Sequence, residues 1–143
     1  EGTIDKFIGD AIMVMFGAPN DVASEKQAHL AVACASAMQR EMVTLCRQWD
    51  TRGAGELKMR IGIHQGPAVV GNFGSNQRSD YTCIGPTVNL AARIESAAIA
   101  GSTFVSDSVR SHFSEGAVTV AGDFSLKGFK EKQTLYRVVG GNS

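Results

Sequence analysis

The chain has 143 residues, of which 43% are hydrophobic and 20% are charged, a composition typical of one folded globular domain. Fourteen basic residues balance fourteen acidic ones. This argues against a nucleic-acid-binding protein, because phosphate affinity needs a concentrated excess of Lys and Arg. No apolar run approaches the roughly 20 residues of a membrane span, and no signal peptide is apparent. The cysteines are three, scattered and outside any metal-binding motif, which is typical of reduced thiols. We therefore expect a cytoplasmic domain that contacts neither nucleic acid nor membrane.

The first two elements predict a β-hairpin. The segments GTIDKFI (2–8) and AIMVMFG (11–17) are strand-like runs separated by Gly9-Asp10, a pair that suits a tight turn. Asp10 is either a simple turn residue or a carboxylate ligand for a hard cation such as Mg²⁺. Alternation along the first strand places Lys6 on the face of Ile4 and Ile8, an unusual position for a purely structural charge.

A long helix and a further strand are predicted next. The helix begins at a capping box, Ser24 to Gln27, and ends near Arg52-Gly53. Its apolar stripe includes Leu30, Cys34, Met38 and Met42. The alternating residues 57–64 predict a half-buried strand, with 68–70 as its hairpin partner.

A second helix follows a polar loop (74–79) and a short strand (81–84). It begins at Gly85-Pro86, since Pro suits the first helical position. Asn89 and Arg93 are spaced i,i+4 and share one face of this helix. An amide beside a guanidinium is suited to a ribose and a phosphate, and the alternative is a surface pair that supports the helix. Thr82, on the preceding strand, adds a hydroxyl.

The remaining segments predict a strand at 103–105, a helix at 107–113 and a terminal hairpin formed by 118–124 and 134–139. Strands and helices mix without strict βαβ alternation, which predicts an α+β fold with one mostly antiparallel sheet.

Four stretches, DKFIGDAIMVMFG, KMRIGIHQGPAVVGNFG, DYTCIGPTVNLAARIES and FSLKG, occur in this order. Together they closely resemble the catalytic domain of class III nucleotidyl cyclases, and of bacterial adenylyl cyclases in particular. The resemblance covers residues 1–143 as one domain. It implies a ferredoxin-like, palm-type fold whose mostly antiparallel sheet carries helices on one face.

The resemblance also implies roles for the candidate residues. Lys6 and Thr82 match the pair that recognises adenine. Asn89 and Arg93 match the pair that orients the ribose and stabilises the transition state. Two further basic residues, Arg60 and Lys127, match residues that grip the triphosphate.

Asp10 matches the second of two aspartates that hold two Mg²⁺ or Mn²⁺ ions per site in the family. The first aspartate belongs to an upstream motif, F-x-D-I-x-G-F-T, which this chain lacks. We therefore expect an N-terminally truncated domain without the family's first strand and the helices after it, which does not cyclise ATP by itself. The resemblance further implies an upstream regulatory or sensor domain and a symmetric homodimer. In that homodimer one protomer supplies Asp10 and Arg60, and its partner supplies the other five residues. Phe7 and Phe73 are candidates for this contact.

The predicted function is that of an adenylyl cyclase, which converts ATP to 3′,5′-cyclic AMP and pyrophosphate by in-line attack between two metal ions. Lys6 offers only hydrogen-bond donors, which suit the N1 acceptor of adenine and disfavour the N1–H of guanine. The alternatives are a guanylyl cyclase and a non-catalytic nucleotide-binding or dimerisation module. A diguanylate cyclase would need a GGDEF-like turn, which FIGDAIM does not supply.

Overall fold

The computed structural model describes residues 2–50, 57–75 and 78–139. These residues form a mixed α+β fold, which confirms the predicted class. In chain order the elements are β1 (Thr3–Ile8), β2 (Ala11–Met15), α1 (Ser24–Asp50), β3 (Ile61–Ile63), β4 (Val69–Ser75), β5 (Arg78–Ile84), α2 (Pro86–Ala97), β6 (Thr103–Val105), α3 (Asp107–Arg110), β7 (Val118–Phe124) and β8 (Gln133–Val138). None of these helices is both long and apolar enough to cross a bilayer.

The strands are divided among three hydrogen-bonded sheets. The largest has the order β3-β6-β8-β7, and the hairpins β1-β2 and β4-β5 each form a sheet of their own. All pairs are antiparallel except β3 with β6. The mostly antiparallel character is therefore confirmed. The prediction of a single sheet is wrong, because the strands of the described residues form three sheets.

The hairpin predicted between the strand at 57–64 and residues 68–70 is wrong. The strand β3 is limited to Ile61–Ile63 and pairs with β6, about 40 residues later in the chain. Val69 instead begins β4, which pairs with β5 through Ile84. Alternation identifies a strand but not its partner, which explains the error. The predicted 74–79 loop is mostly strand, since Gly74 pairs with Ser79 and Ser75 with Arg78. The predicted end of the first helix, near Arg52-Gly53, lies outside the described residues.

The core lies between the inner face of α2 and the four-stranded sheet. Leu90 and Ile94 of α2 pack there with Phe104 and Leu135. Ala28 of α1 joins a second cluster with residues of β6 and α3. The predicted stripe of α1 is only half-buried at Leu30, Cys34, Met38 and Met42.

Gly62 allows α2 to lie directly against β3. A Cβ atom at this position would stand 2.7 Å from the carbonyl oxygen of Ala91 and 2.8 Å from the Cα of Glu95. Atoms in this close-packed interior do not approach so closely without displacement. The helix that carries Asn89 and Arg93 is therefore fixed relative to β3 by a missing side chain.

Candidate functional site

A β-bulge in β1 shapes the first part of the candidate site. The pairing with β2 passes from Ile4–Val14 directly to Lys6–Met13, which leaves Asp5 as the extra residue. Val14 and Met13 are neighbours on β2 and face opposite ways, so Ile4 and Lys6 also lie on opposite faces. The prediction that Lys6 shares a face with Ile4 is therefore wrong, because the bulge interrupts the alternation. Lys6 does share a face with Ile8.

The Asp5 carboxylate is buried and bonded to the strand β5. Its side chain is 1% exposed. The Thr82 hydroxyl lies 2.8 Å from both carboxylate oxygens and donates to them, and the backbone N–H of Cys83 donates to Oδ2 at 3.0 Å. These bonds join residues 77 and 78 positions apart in the chain, so Asp5 fixes the hairpin β1–β2 against β5.

Asp5 also brings together the two residues that the sequence linked to purine recognition. The Lys6 ammonium lies 3.8 Å from Asp5 Oδ1, and the Lys6 side chain is 45% exposed. Thr82 is only 7% exposed. A partly exposed cation and a buried hydroxyl thus flank one carboxylate, so the structure places Lys6 and Thr82 as neighbours.

The sequence analysis missed Asp5, although a signal was present. Its acidic side chain lies in a strand of mostly apolar residues, directly before Lys6. Its influence extends to Cys83, where burial raises the pKa of the thiol. The negative charge of Asp5 raises that pKa further, and Lys6 opposes the increase.

The second part of the candidate site is the exposed face of α2. The helix begins at Pro86, as predicted, and Gly85 precedes it with a φ of 134°. Asn89 and Arg93 are exposed, whereas Leu90 and Ile94 face the core. Within the described chain neither side chain has a hydrogen bond or ion pair. The pair is therefore available to a ligand, and its two members lie 7 and 11 residues after Thr82 in the chain.

The other three candidates are exposed and lie on different segments of the chain. Asp10 lies at the tip of the first hairpin, after Gly9 with a φ of 59°. A positive φ at only the first loop residue is the pattern of a type II′ turn. Arg60 precedes β3, and Lys127 lies in a turn after β7. Among the described residues, no hydrogen bond or ion pair joins these three to one another or to Asp5.

A metal site is not complete in this part of the chain. Residues 2–50, 57–75 and 78–139 contain no group of three or more His, Cys, Asp or Glu side chains that could hold an ion. Mg²⁺ usually binds through one or two carboxylates, waters and substrate phosphates. Asp10 alone therefore fits one ligand position and not a two-ion site.

His64, in the same sequence stretch as Arg60, lies in a separate polar cluster. Its Nδ1 is 2.7 Å from the Ser106 hydroxyl, which in turn is 3.0 Å from the Ser108 hydroxyl. Burial lowers the pKa of His64. His64 directly follows β3, so these contacts join the end of that strand to the start of α3.

Comparisons with known proteins agree on the family. Residues 4–140 match the model of the adenylate and guanylate cyclase catalytic domain. Adenylate cyclase 1 of Rhizobium meliloti is 40% identical over 95 residues, which are 66% of this chain and 14% of that protein. The chain thus spans about one seventh of the length of this relative.

Two solved structures extend the comparison to the fold. The adenylyl cyclase CyaB from P. aeruginosa superposes with a TM-score of 0.92 at 41% identity, over 99% of this chain and 72% of that one. The guanylyl cyclase Cya2 superposes with a TM-score of 0.86 at 39% identity, over 97% and 70% of the two chains. Members of this family generally use divalent metal ions. The chain belongs to the class III nucleotidyl cyclases, whose catalytic domain residues 4–140 match.

Proposed function

We propose that this domain forms 3′,5′-cyclic AMP and pyrophosphate from ATP, as part of an adenylyl cyclase. The observation that carries the proposal is the pairing of Lys6 and Thr82 on Asp5. The Lys6 ammonium has donors and no acceptor, so it complements N1 of adenine and opposes the N1–H of guanine. The similarity to CyaB and to the Rhizobium enzyme supports the same substrate.

The basic and amide side chains would bind the phosphates and the ribose of the substrate. Arg93 would bind the α-phosphate, where negative charge grows as the ribose 3′-oxygen attacks phosphorus. Asn89, one turn earlier on the same face, would orient the ribose. Arg60 and Lys127 would bind the leaving pyrophosphate. All four are exposed, which suits residues that await a ligand.

Asp10 would contribute one carboxylate to the Mg²⁺ or Mn²⁺ ions that the family's chemistry requires. The remaining ligands must come from outside the described residues.

The proposed assembly is a homodimer. Homologous cyclase domains act as dimers that bind a nucleotide. In the proposed site Asp10 and Arg60 come from one protomer, and the purine and ribose residues come from its partner. The apolar side chains of Phe7 (69% exposed) and Phe73 (38% exposed) are available for this contact. A regulatory domain elsewhere in the polypeptide remains part of the proposal.

The proposal is tested with the full-length polypeptide that contains residues 1–143. The polypeptide is incubated with Mn²⁺ and either ATP or GTP, and the products are identified by mass. We expect cyclic AMP from ATP and little cyclic GMP from GTP.

Arg93→Ala should lower the rate about 10²–10³-fold, as for other donors to a developing anion. The matched control is Arg110→Ala, because Arg110 stacks on Tyr136, with 5.4 Å from its guanidinium carbon to the ring centroid, and has no proposed catalytic role. Equal rates for the two variants would contradict the role of Arg93.

Two other functions predict different products. A guanylyl cyclase, for which the similarity to Cya2 is the specific observation, would form cyclic GMP from GTP. A non-catalytic module is favoured by the incomplete metal site, and it would bind nucleotide without forming either product.

A further inference from the structure

We propose that Asp5 determines the base specificity of the site by fixing the Thr82 hydroxyl as a hydrogen-bond acceptor toward the purine. The proposal rests on the proposed function, since it names the residue that makes the same site selective for a 6-aminopurine. Asp5 is a positioning residue here, because it acts through Thr82 and Lys6.

The first step concerns the single hydrogen of the Thr82 hydroxyl. Thr82 Oγ1 lies 2.8 Å from Asp5 Oδ1 and 2.8 Å from Oδ2. An ionised carboxylate only accepts hydrogen bonds, so the hydroxyl must donate its hydrogen to Asp5. The Thr82 oxygen then has only lone pairs left to offer a ligand.

The second step concerns the rigidity of this arrangement. The Asp5 side chain is 1% exposed, and the Cys83 N–H holds Oδ2 at 3.0 Å. The bulge directs Asp5 out of the regular alternation of β1 and toward β5. Neither the carboxylate nor the hydroxyl can reorient without breaking a buried hydrogen bond, which is costly in this environment.

The third step compares this pattern with the two purines. Adenine presents a donor at its 6-amino group and an acceptor at N1, whereas guanine presents an acceptor at O6 and a donor at N1. Thr82, as an acceptor, and Lys6, as a donor, therefore match adenine at both positions and oppose guanine at both. Lys6 alone would set only one of these two contacts.

The decisive variant is Asp5→Asn, which preserves shape and removes the charge. Its one remaining oxygen is held by the Cys83 N–H, and its amide nitrogen turns toward Thr82 as a donor. The Thr82 hydroxyl is then released to donate to O6 of guanine. A matched control exists in the same chain, because Thr134 donates to Asp123 at 2.6 Å in an exposed hydrogen bond between β7 and β8.

We would measure kcat/KM of the full-length polypeptide for ATP and GTP, and its affinity for both by competition with a fluorescent ATP analogue. The ATP:GTP ratio should fall about 10-fold or more in Asp5→Asn, the discrimination expected from one well-made base contact. It should be unchanged in Asp123→Asn. If Asp5→Asn lowers ATP and GTP use equally, Asp5 is only structural and the proposal is overturned.

A probe that needs no variant guards against misfolding of Asp5→Asn. Purine riboside 5′-triphosphate lacks the 6-amino group and so has nothing to donate to Thr82. The wild type should bind it about 10-fold more weakly than ATP, and equal binding would overturn the proposal. A wild type that selects ATP in binding but forms no cyclic nucleotide would contradict the proposed function and retain the role of Asp5. Binding of no nucleotide at all would overturn both.

Discussion

The first and last hairpins of the domain are built from the same local features and reach different outcomes. Each contains a β-bulge, at Asp5 in β1 and between Val120 and Gly122 in β7. The hairpin β7–β8 belongs to the four-stranded sheet, and its Leu135 is 1% exposed. The hairpin β1–β2 is a separate sheet, and its Phe7 is 69% exposed. The last hairpin therefore contributes side chains to the core, and the first one contributes side chains to the candidate site.

Their Asp–Thr pairs make the same contrast. Asp123 and Thr134 face each other across neighbouring strands, and the hydrogen bond between them is exposed. Asp5 and Thr82 are distant in sequence, and the Asp5 side chain is buried. An exposed pair of this kind competes with water and contributes little, whereas a buried one must keep its partners. Burial, and not residue type, therefore distinguishes the Asp5–Thr82 pair from the Asp123–Thr134 pair.

The largest expected effect tests the difference in packing between the hairpins. Leu135→Ala should lower the free energy of unfolding by about 2–5 kcal/mol, because it leaves a cavity in the core. Phe7→Ala should change it by less than about 0.5 kcal/mol, as for other exposed positions. Urea denaturation of both variants measures the difference. A comparable loss in Phe7→Ala would mean that the exposed face of β1–β2 is covered in solution.

A smaller effect is expected where the core meets the site. Gly62→Ala should cost about 1–3 kcal/mol, since the added methyl group meets the backbone of α2. The same displacement should lower cyclisation through Asn89 and Arg93. Gly71→Ala is the control, because a Cβ there meets only a ring atom of Phe73 at 3.9 Å. If the two variants are equally stable in urea, the close approach of α2 to β3 does not constrain the fold.

The smallest expected effect is a pH dependence of the free energy of unfolding that arises from His64. Burial lowers the folded-state pKa of His64 below its ordinary value of 6.5, so the unfolded chain binds more protons there. This contribution to stability is complete above about pH 6.5 and is lost as the pH falls toward the lowered pKa. The slope cannot exceed about 1.4 kcal/mol per pH unit for one proton. His64→Asn should remove this slope from urea unfolding measured between pH 5 and 8. A variant that keeps the wild-type slope would assign it to other groups.

The sequence predicted the features that depend on local pattern. The turn at Gly9-Asp10, the start of α2 at Pro86 and the strand at 103–105 each follow from a few neighbouring residues, and the structure has them all. The family followed from four motifs in order. The pairing of strands could not be predicted in the same way, because β3 pairs with β6 through contacts that no local pattern encodes.

The bulge at Asp5 shows the same limit within the site. A strand with one extra residue has the composition of a regular strand, so periodicity alone placed Lys6 on the wrong side of Ile4. The partner that buries Asp5 lies 77 residues away. A buried carboxylate therefore appeared in the sequence as an ordinary charge beside a lysine. The roles of all seven candidate residues stay predictions until they are tested, namely those of Lys6, Asp10, Arg60, Thr82, Asn89, Arg93 and Lys127.

The bulge in β1 also bears on how this strand tolerates insertions and deletions. In a regular strand, the loss of one codon shifts every later side chain to the opposite face. At Asp5 the ladder already passes from Ile4 to Lys6, each with its own partner. Removal of this one residue would leave Ile4 opposite Val14 and Lys6 opposite Met13. The deletion of the Asp5 codon would therefore remove the carboxylate and leave the register of the hairpin unchanged.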